Sequence, residues 1–339
     1  MLRFGPEEDG PGNFLSVSEL KTGGYAVFYD RNIITLPGPL QNQIDSFALS
    51  LLQPVQAFDF TDPPLEAALV SPDSVSWRIF KNPVTVFIGG VAAVLLEFGE
   101  PRVRDGVWQH SSFRTDPLTR LRRTGLAAMV TIYGARSKAE AMIAGVVRRH
   151  DRVAGHTREG ERYHANDPAL LNWVQATAGF GFTEAYRAYA RRLTESECRS
   201  LFRESAPAAR LYGAVGAPSS QRDLDALFEA MKGRLVASPV VFEFLDIMKQ
   251  APLLPPPMRS MQSVLLKAAV EILPPWVRER LGLGGSWRLN RFERAFVRAM
   301  AKASDRLVLP SSPAVQSCRR LGLPDDYLYG GPGMGRRSK

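Results

Sequence analysis

From residue 73 onward, apolar residues recur at intervals of three and four, the period of helices that lay one face on a core. The run PVTVFIGGVAAVLL (Pro83–Leu96) is apolar on all sides. It is about four residues short of a membrane span and holds two glycines, so it reads as a buried core helix. The pattern predicts helices over Ser74–Phe80, Val84–Phe98, Arg102–His110, Pro117–Tyr133, Ser137–Val153 and Ala169–Ala190. It continues with Glu195–Ala206, Ser220–Arg234, Pro239–Gln250, Arg259–Ile272, Pro275–Leu281 and Asn290–Ser304. Before them, GGYAVFYDRNIITLPG (Gly23–Gly38) has the β-branched and aromatic runs of a short hairpin, and QNQIDSFALSLLQPVQAF reads as a helix stopped by Pro54.

Local chemistry marks several boundaries. Asp116-Pro117 and Asp167-Pro168 each set a capping carboxylate before a proline at the first helical position. Thr194-Glu195-Ser196-Glu197 has the form of a capping box. The prolines of APLLPPPM (Ala251–Met258) make a stiff connector, and GGPGMGRRSK a mobile tail. The expected class is all-α: one helical domain over residues 71–330, a partly irregular extension over 1–70, and a tail over 331–339.

Composition adds little to this picture. The chain is 45% apolar and 23% charged, as a soluble globular protein is. A formal charge of +9, from 43 basic and 34 acidic residues, suits an anionic partner or cofactor. No groove-reading or base-stacking motif accompanies it, so nucleic acid is not expected. Two cysteines, Cys198 and Cys318, make neither a disulfide framework nor a metal spacing, and fit a reducing cytoplasm. The first residues lack the order of a secretory signal.

The chemistry concentrates in VVRRHDRVAGH (Val146–His156). On a wheel of about 100° per residue, Ala139, Met142, Ile143, Val146, Val147 and Val153 share one face, with His150 near its middle. Arg148 and Arg152 point the other way and Arg149 sits on the flank. An inward neutral imidazole needs a partner for each ring nitrogen, or it forfeits roughly 1–3 kcal/mol. Two readings meet that need: a core histidine bonded to a carbonyl, or a metal or haem ligand. His110, His156 and His164 show no ligand spacing with His150, which disfavours a three-histidine zinc or iron site. Haem needs only one inward histidine, and arginines for its propionates. In DPLTRLRRTGLAAMVTIYG (Asp116–Gly134), Arg120, Thr124, Ala127 and Thr131 share a face that is small and flat beyond its first turn, with Arg123 beside them. These arginines are either solvated or answered by an anion, since cations near a helix N-terminus oppose its dipole.

WRIFKNPVTVFIGGVAAVLLEFGEP (Trp77–Pro101), HSSFRTDPLTRLRRT (His110–Thr124), VVRRHDRVAG (Val146–Gly155) and ANDPALLNWVQAT (Ala165–Thr177), in this order, resemble the MpaB-type oxygenase family. That family includes the latex-clearing proteins (rubber oxygenases) and a fungal oxygenase that shortens a prenyl chain. The resemblance runs from about Ser71 to Tyr329 and implies a globin-like helical core holding haem b. It implies cleavage of an isoprenoid double bond by dioxygen as co-substrate, leaving carbonyl ends. The family's proximal histidine matches His150; its distal arginine and threonine match Arg120 and Thr124, and Arg149 joins the cofactor side. Arg123 stands where the latex-clearing proteins carry lysine, and a guanidinium, always charged, cannot cap iron as a neutral amine can. An open or water-ligated sixth position is therefore expected. His110 is a further distal candidate, with a capping or surface role as its alternative. The family's catalytic carboxylate has no motif here; Glu97 and Glu100 are nearest, each with helix-end structure as the plain alternative. Partners implied are an apolar isoprenoid or lipid-like substrate, walled by residues such as Phe87, Val91, Leu95, Phe180 and Phe182, and an electron donor. Peripheral membrane contact is compatible with this. A haem protein without oxygenase chemistry, and a haem-free helical module binding lipid or protein, stay open as rival readings. Thiolate ligation through Cys198 lacks the glycine-bracketed loop such ligands use.

Overall fold

The computed structural model describes residues 58–252 and 259–329, together with residues 33–34, 38–39 and 45. The hairpin over Gly23–Gly38, the helix before Pro54, the proline connector and the tail fall wholly or largely outside these residues. The described residues are mostly helical: α1 (Val75–Phe80), α2 (Pro83–Gly99), α3 (Pro101–His110), α4 (Pro117–Tyr133) and α5 (Arg136–His150) precede a small hairpin of β1 (Ala154–His156) and β2 (Arg162–His164). Then come α6 (Pro168–Tyr189), α7 (Glu195–Tyr212), α8 (Gln221–Met231), α9 (Pro239–Gln250), α10 (Arg259–Glu271), α11 (Pro275–Arg280), α12 (Arg291–Ser304) and α13 (Pro313–Arg320).

One device starts six of these helices. Asn82-Pro83, Glu100-Pro101, Asp116-Pro117, Asp167-Pro168, Ser238-Pro239 and Ser312-Pro313 each join a side-chain acceptor to a proline that fixes the first helical φ. At the Glu100-Pro101 junction the chain bends by 108° between α2 and α3. No single helix among the described residues is long and apolar enough to cross a membrane.

The centre of the molecule is the contact of α2 with α6. Gly89 and Gly181 bring the two backbones together: a Cβ on Gly89 would lie 2.7 Å from the Gly181 carbonyl oxygen and 2.8 Å from the Phe182 Cα. A Cβ on Gly181 would collide with the Gly89 carbonyl in turn. Around this crossing Ile88, Ala92, Leu95 and Leu96 of α2 are fully buried, as are Trp173, Ala185 and Tyr186 of α6. A second core lies beside it, where Trp77, Tyr133, Ala139, Ile143 and Cys318 tie α1, α4, α5 and α13 together. Buried Arg320 fastens this side by donating to the carbonyls of Phe60 at 2.8 Å, Glu66 at 2.9 Å and Tyr133 at 2.7 Å.

Several elements differ from the sequence expectation, the hairpin of β1 and β2 and the earlier end of α8 at Met231 among them. The helix α7 runs on through Pro207 to a left-handed Gly213 at φ 89°, since one missing backbone donor does not stop a helix. The helix α5 ends at His150 instead of Val153: the amides of Arg152 and Val153 turn to carbonyls three residues back, of Arg149 and His150, and the chain enters β1. The helix α13 was not anticipated, although Ser312-Pro313 carries the same signal as the other starts.

The glycine crossing yields a test. Gly89→Ala or Gly181→Ala gains about 1 kcal/mol of helix propensity. Each must also push two backbones apart, so a net loss of roughly 2–3 kcal/mol is expected in denaturant unfolding. An unchanged unfolding midpoint in both variants would contradict the close approach.

Candidate functional site

The helices α2, α4, α5 and α6 bring four groups into one electrostatic neighbourhood. Glu97, in the last turns of α2, lies 3.3 Å from Thr177 Oγ1 of α6, whose one proton is shared with the Val174 carbonyl at 2.8 Å, and it feels the charge of Arg120 on α4. Arg120 in turn feels Glu97, Arg123 and Arg149. His150, closing α5, feels Arg120 and Arg149. Arg120 is thus the hub between the carboxyl and the imidazole. Its guanidinium donates to Thr124 Oγ1 at 2.6 Å, one helical turn on, and that hydroxyl donates to the Arg120 carbonyl at 2.9 Å. Arg123, Thr124 and Arg149 are exposed, while Arg120, Glu97 and His150 are half-buried.

Desolvation is the leading influence on all three half-buried groups. It pushes the Glu97 carboxyl up to about 7, against the pull of Thr177 and Arg120. It draws the Arg120 guanidinium and the His150 imidazole below their usual values. All three keep some accessible surface and are still strongly desolvated. The packing of α4 agrees: only Met129, Val130 and Tyr133 of its 17 residues are buried, all in its last two turns. A Cβ at Gly125, midway along it, would meet nothing within 4 Å.

The imidazole of His150 has an arrangement that the sequence did not reveal. Its Nδ1 is buried with no hydrogen-bond partner, and so is Oδ1 of Asn166. The Asn166 amide is oriented by its Nδ2, which donates to the Asp151 carboxylate at 2.6 Å and to the Val147 carbonyl at 3.1 Å. Both partners are pure acceptors, so the amide nitrogen belongs there and Oδ1 is left free. Asn166 acts on the ring as an acceptor does, favouring its protonated form. With Asn166 as the acceptor for an Nδ1–H, Nε2 would keep the lone pair. In sequence Asn166 belongs to the helix-start stretch Asn166-Asp167-Pro168, in which Asp167 is the cap.

The two carboxylate candidates separate cleanly. Glu100 is a helix-end residue: it caps α3 through the Val103 amide at 2.9 Å and pairs with Arg102 at 2.8 Å and Arg234 at 3.2 Å. It borders a cleft of ≈ 410 Å³, also lined by Trp173, Met231 and Arg234, which holds none of the other candidates. For Glu97 the helix-end reading is corrected, since its side chain reaches across to α6.

The remaining candidates stand apart. His110 is exposed and its Nε2 meets the Tyr163 hydroxyl of β2 at 3.1 Å, a surface role. His164 contacts the Asp151 carbonyl at 3.3 Å and the Asn166 amide at 3.2 Å, buttressing the turn that presents Asn166. Burial raises both cysteine thiols, which keeps them protonated and poor ligands. Of the supposed substrate wall, Val91 and Leu95 are buried core, whereas Phe87, Phe180 and Phe182 are half-buried against it. Phe182 stacks on Phe80 at 4.6 Å and Phe180 on Phe228 at 5.1 Å, so both are also packing residues.

Residues 77–304 match the family model of the ER-bound oxygenase mpaB/B'/rubber oxygenase catalytic domain. The chain belongs to this family. The match takes in α2 through α12, and with them every group of the site above. No curated protein matches the chain, and no solved structure does.

The residues at this site fit haem better than a bare ion. No group of three or more histidine, cysteine, aspartate or glutamate side chains capable of holding a metal exists among the described residues. Haem asks the protein for one axial nitrogen. A buried Nδ1 without a partner, on a ring that Asn166 influences as an acceptor does, suits a ligand that would bind through its other nitrogen. Cationic Arg120 and Arg149 beside it suit propionates.

The raised Glu97 pKa carries a stability signature. Folding lifts it from 4.5 to about 7, so the unfolded chain ionises first and stability falls across that window as pH rises. In protein free of any cofactor, Glu97→Gln is therefore expected to stabilise by on the order of 1–3 kcal/mol at pH 8 and to be neutral near pH 4. Urea titrations at the two pH values check this; equal effects at both would show that Glu97 is solvated.

Proposed function

We propose that the protein is a haem b-dependent oxygenase that uses dioxygen to oxidise or cleave a carbon–carbon double bond in an apolar, isoprenoid or lipid-like molecule. The observation that carries this reading is His150: a half-buried imidazole that burial draws below its usual pKa, with a buried Nδ1 left without a hydrogen-bond partner and Asn166 acting on the ring, in a chain of an oxygenase family. His150 would hold the haem through Nε2, with Asn166 setting tautomer and ring orientation. Haem supplies the dioxygen chemistry that no side chain possesses.

The chain's own groups have definite tasks around it. Arg120, held by Thr124, places a fixed positive charge beside His150 and Glu97, available to negative charge that develops during reaction or to a propionate. Glu97 sits near its midpoint at neutral pH and can hold or release a proton at a carboxyl that Thr177 orients. Arg123 is exposed and always charged, so it would not serve as a neutral ligand to the iron. Cleaving an alkene to two carbonyl ends consumes one dioxygen and both its atoms, with no net external electrons. An electron donor is then needed only to prepare the cofactor.

The test is an absorption spectrum after haem supplementation, followed by oxygen uptake with terpenoid alkenes. A Soret band is expected that His150→Ala abolishes. Asn166→Leu, which removes the acceptor, should keep the band but weaken haem affinity by about 10–100-fold. A band unchanged in His150→Ala removes the ligand assignment. Haem binding without oxygen uptake would leave a carrier or sensor.

A further inference from the structure

The surface of α12 is divided lengthwise into three strips. Val297 and Ala301 are buried against the core. On the outside, Phe292, Phe296, Ala299 and Ala303 form one strip, with Phe292 70% and Phe296 43% exposed. Beside it Arg291, Arg298 and Lys302 form another, all exposed. The basic strip opens on a cleft of ≈ 350 Å³ at the end of α6, lined by Arg187, Arg191, Arg192, Arg298 and Lys302 and by no acidic residue. Glu184 answers Arg187 at 2.5 Å and Glu197 answers Arg191 at 2.8 Å. Among the described residues no carboxylate pairs with Arg192, Arg298 or Lys302.

We propose that this face docks on an anionic phospholipid bilayer, with Phe292 and Phe296 entering the headgroup–acyl boundary and the cations of the adjoining cleft taking lipid phosphates. A helix that lies in that boundary needs an aromatic or aliphatic strip beside Lys and Arg, and α12 has both on its outer side. Scattered exposed apolar residues mean nothing, but two phenylalanines one turn apart on one helix make a patch. Charge decides the occupant. A second copy meeting the same face across a two-fold axis would oppose unpaired cations to their own kind. A bilayer rich in acidic lipid answers them. The inference goes beyond the proposed chemistry and needs no cofactor, so it stands or falls separately from the haem reading.

Vesicle flotation of the full chain tests it. Vesicles of phosphatidylcholine mixed with phosphatidylglycerol should carry at least about tenfold more protein than pure phosphatidylcholine at low salt, with the excess lost at high salt. The double variant Arg298→Glu, Lys302→Glu should abolish the preference for acidic vesicles. Phe292→Ser with Phe296→Ser should reduce binding by about tenfold while leaving the thermal midpoint in place. Three outcomes would overturn the proposal: no flotation with acidic vesicles, flotation that survives both double variants, or self-association through the phenylalanines in place of lipid binding.

Discussion

The backbones of α2 and α6 can touch only because residues 89 and 181 lack side chains, and that contact fixes everything around the site. From Gly89 the chain runs two turns, about 12 Å, along α2 to Glu97. From Gly181 it runs one turn back along α6 to Thr177. The opposed directions bring Glu97 and Thr177 within hydrogen-bond distance. A larger residue at either glycine would separate the helices and leave the carboxyl without its orienting hydroxyl. The same glycines sit in an all-apolar stretch, where packing is tight enough to transmit such a shift.

The site built on this crossing holds charges where charges are costly. Glu97, Arg120 and His150 all carry a desolvation penalty, and each lessens it differently. The carboxyl moves to the middle of the physiological range, the imidazole stays neutral, and the guanidinium remains charged between Glu97 and its own helix's Thr124. Perturbed groups of this kind gathered together mark functional sites more often than structural ones. Glu100 shows the contrast: it is buried more completely, yet Arg102, Arg234 and the Val103 amide satisfy it, and it does structural work only.

Much of the fold was legible in the chain because local chemistry wrote it. An acceptor followed by proline names a helix start to within a residue, and the expected ranges Pro117–Tyr133 and Pro239–Gln250 coincide with the observed helices. Helix ends were less legible: α5 tightens to three-residue bonds after His150 and stops early, and α7 outlasts a proline. The site divides in the same way. His150 and Arg120 stand out on helical wheels, since wheel position is a local property. Asn166 and Glu97 do not, because their roles arise from contacts across α5 and α6 that no spacing encodes. An asparagine beside a capping aspartate looks like part of the cap, and a glutamate near a helix end looks like an end.

The central claim is that His150, positioned by Asn166, is the single protein ligand to a haem iron. Pulsed electron paramagnetic resonance on the ferric, haem-loaded protein reads this directly when its histidines carry ¹⁵N. The account predicts hyperfine coupling to one imidazole, absent from the His150→Ala protein. Coupling to two imidazoles, or to none in a protein that still binds haem, would contradict it.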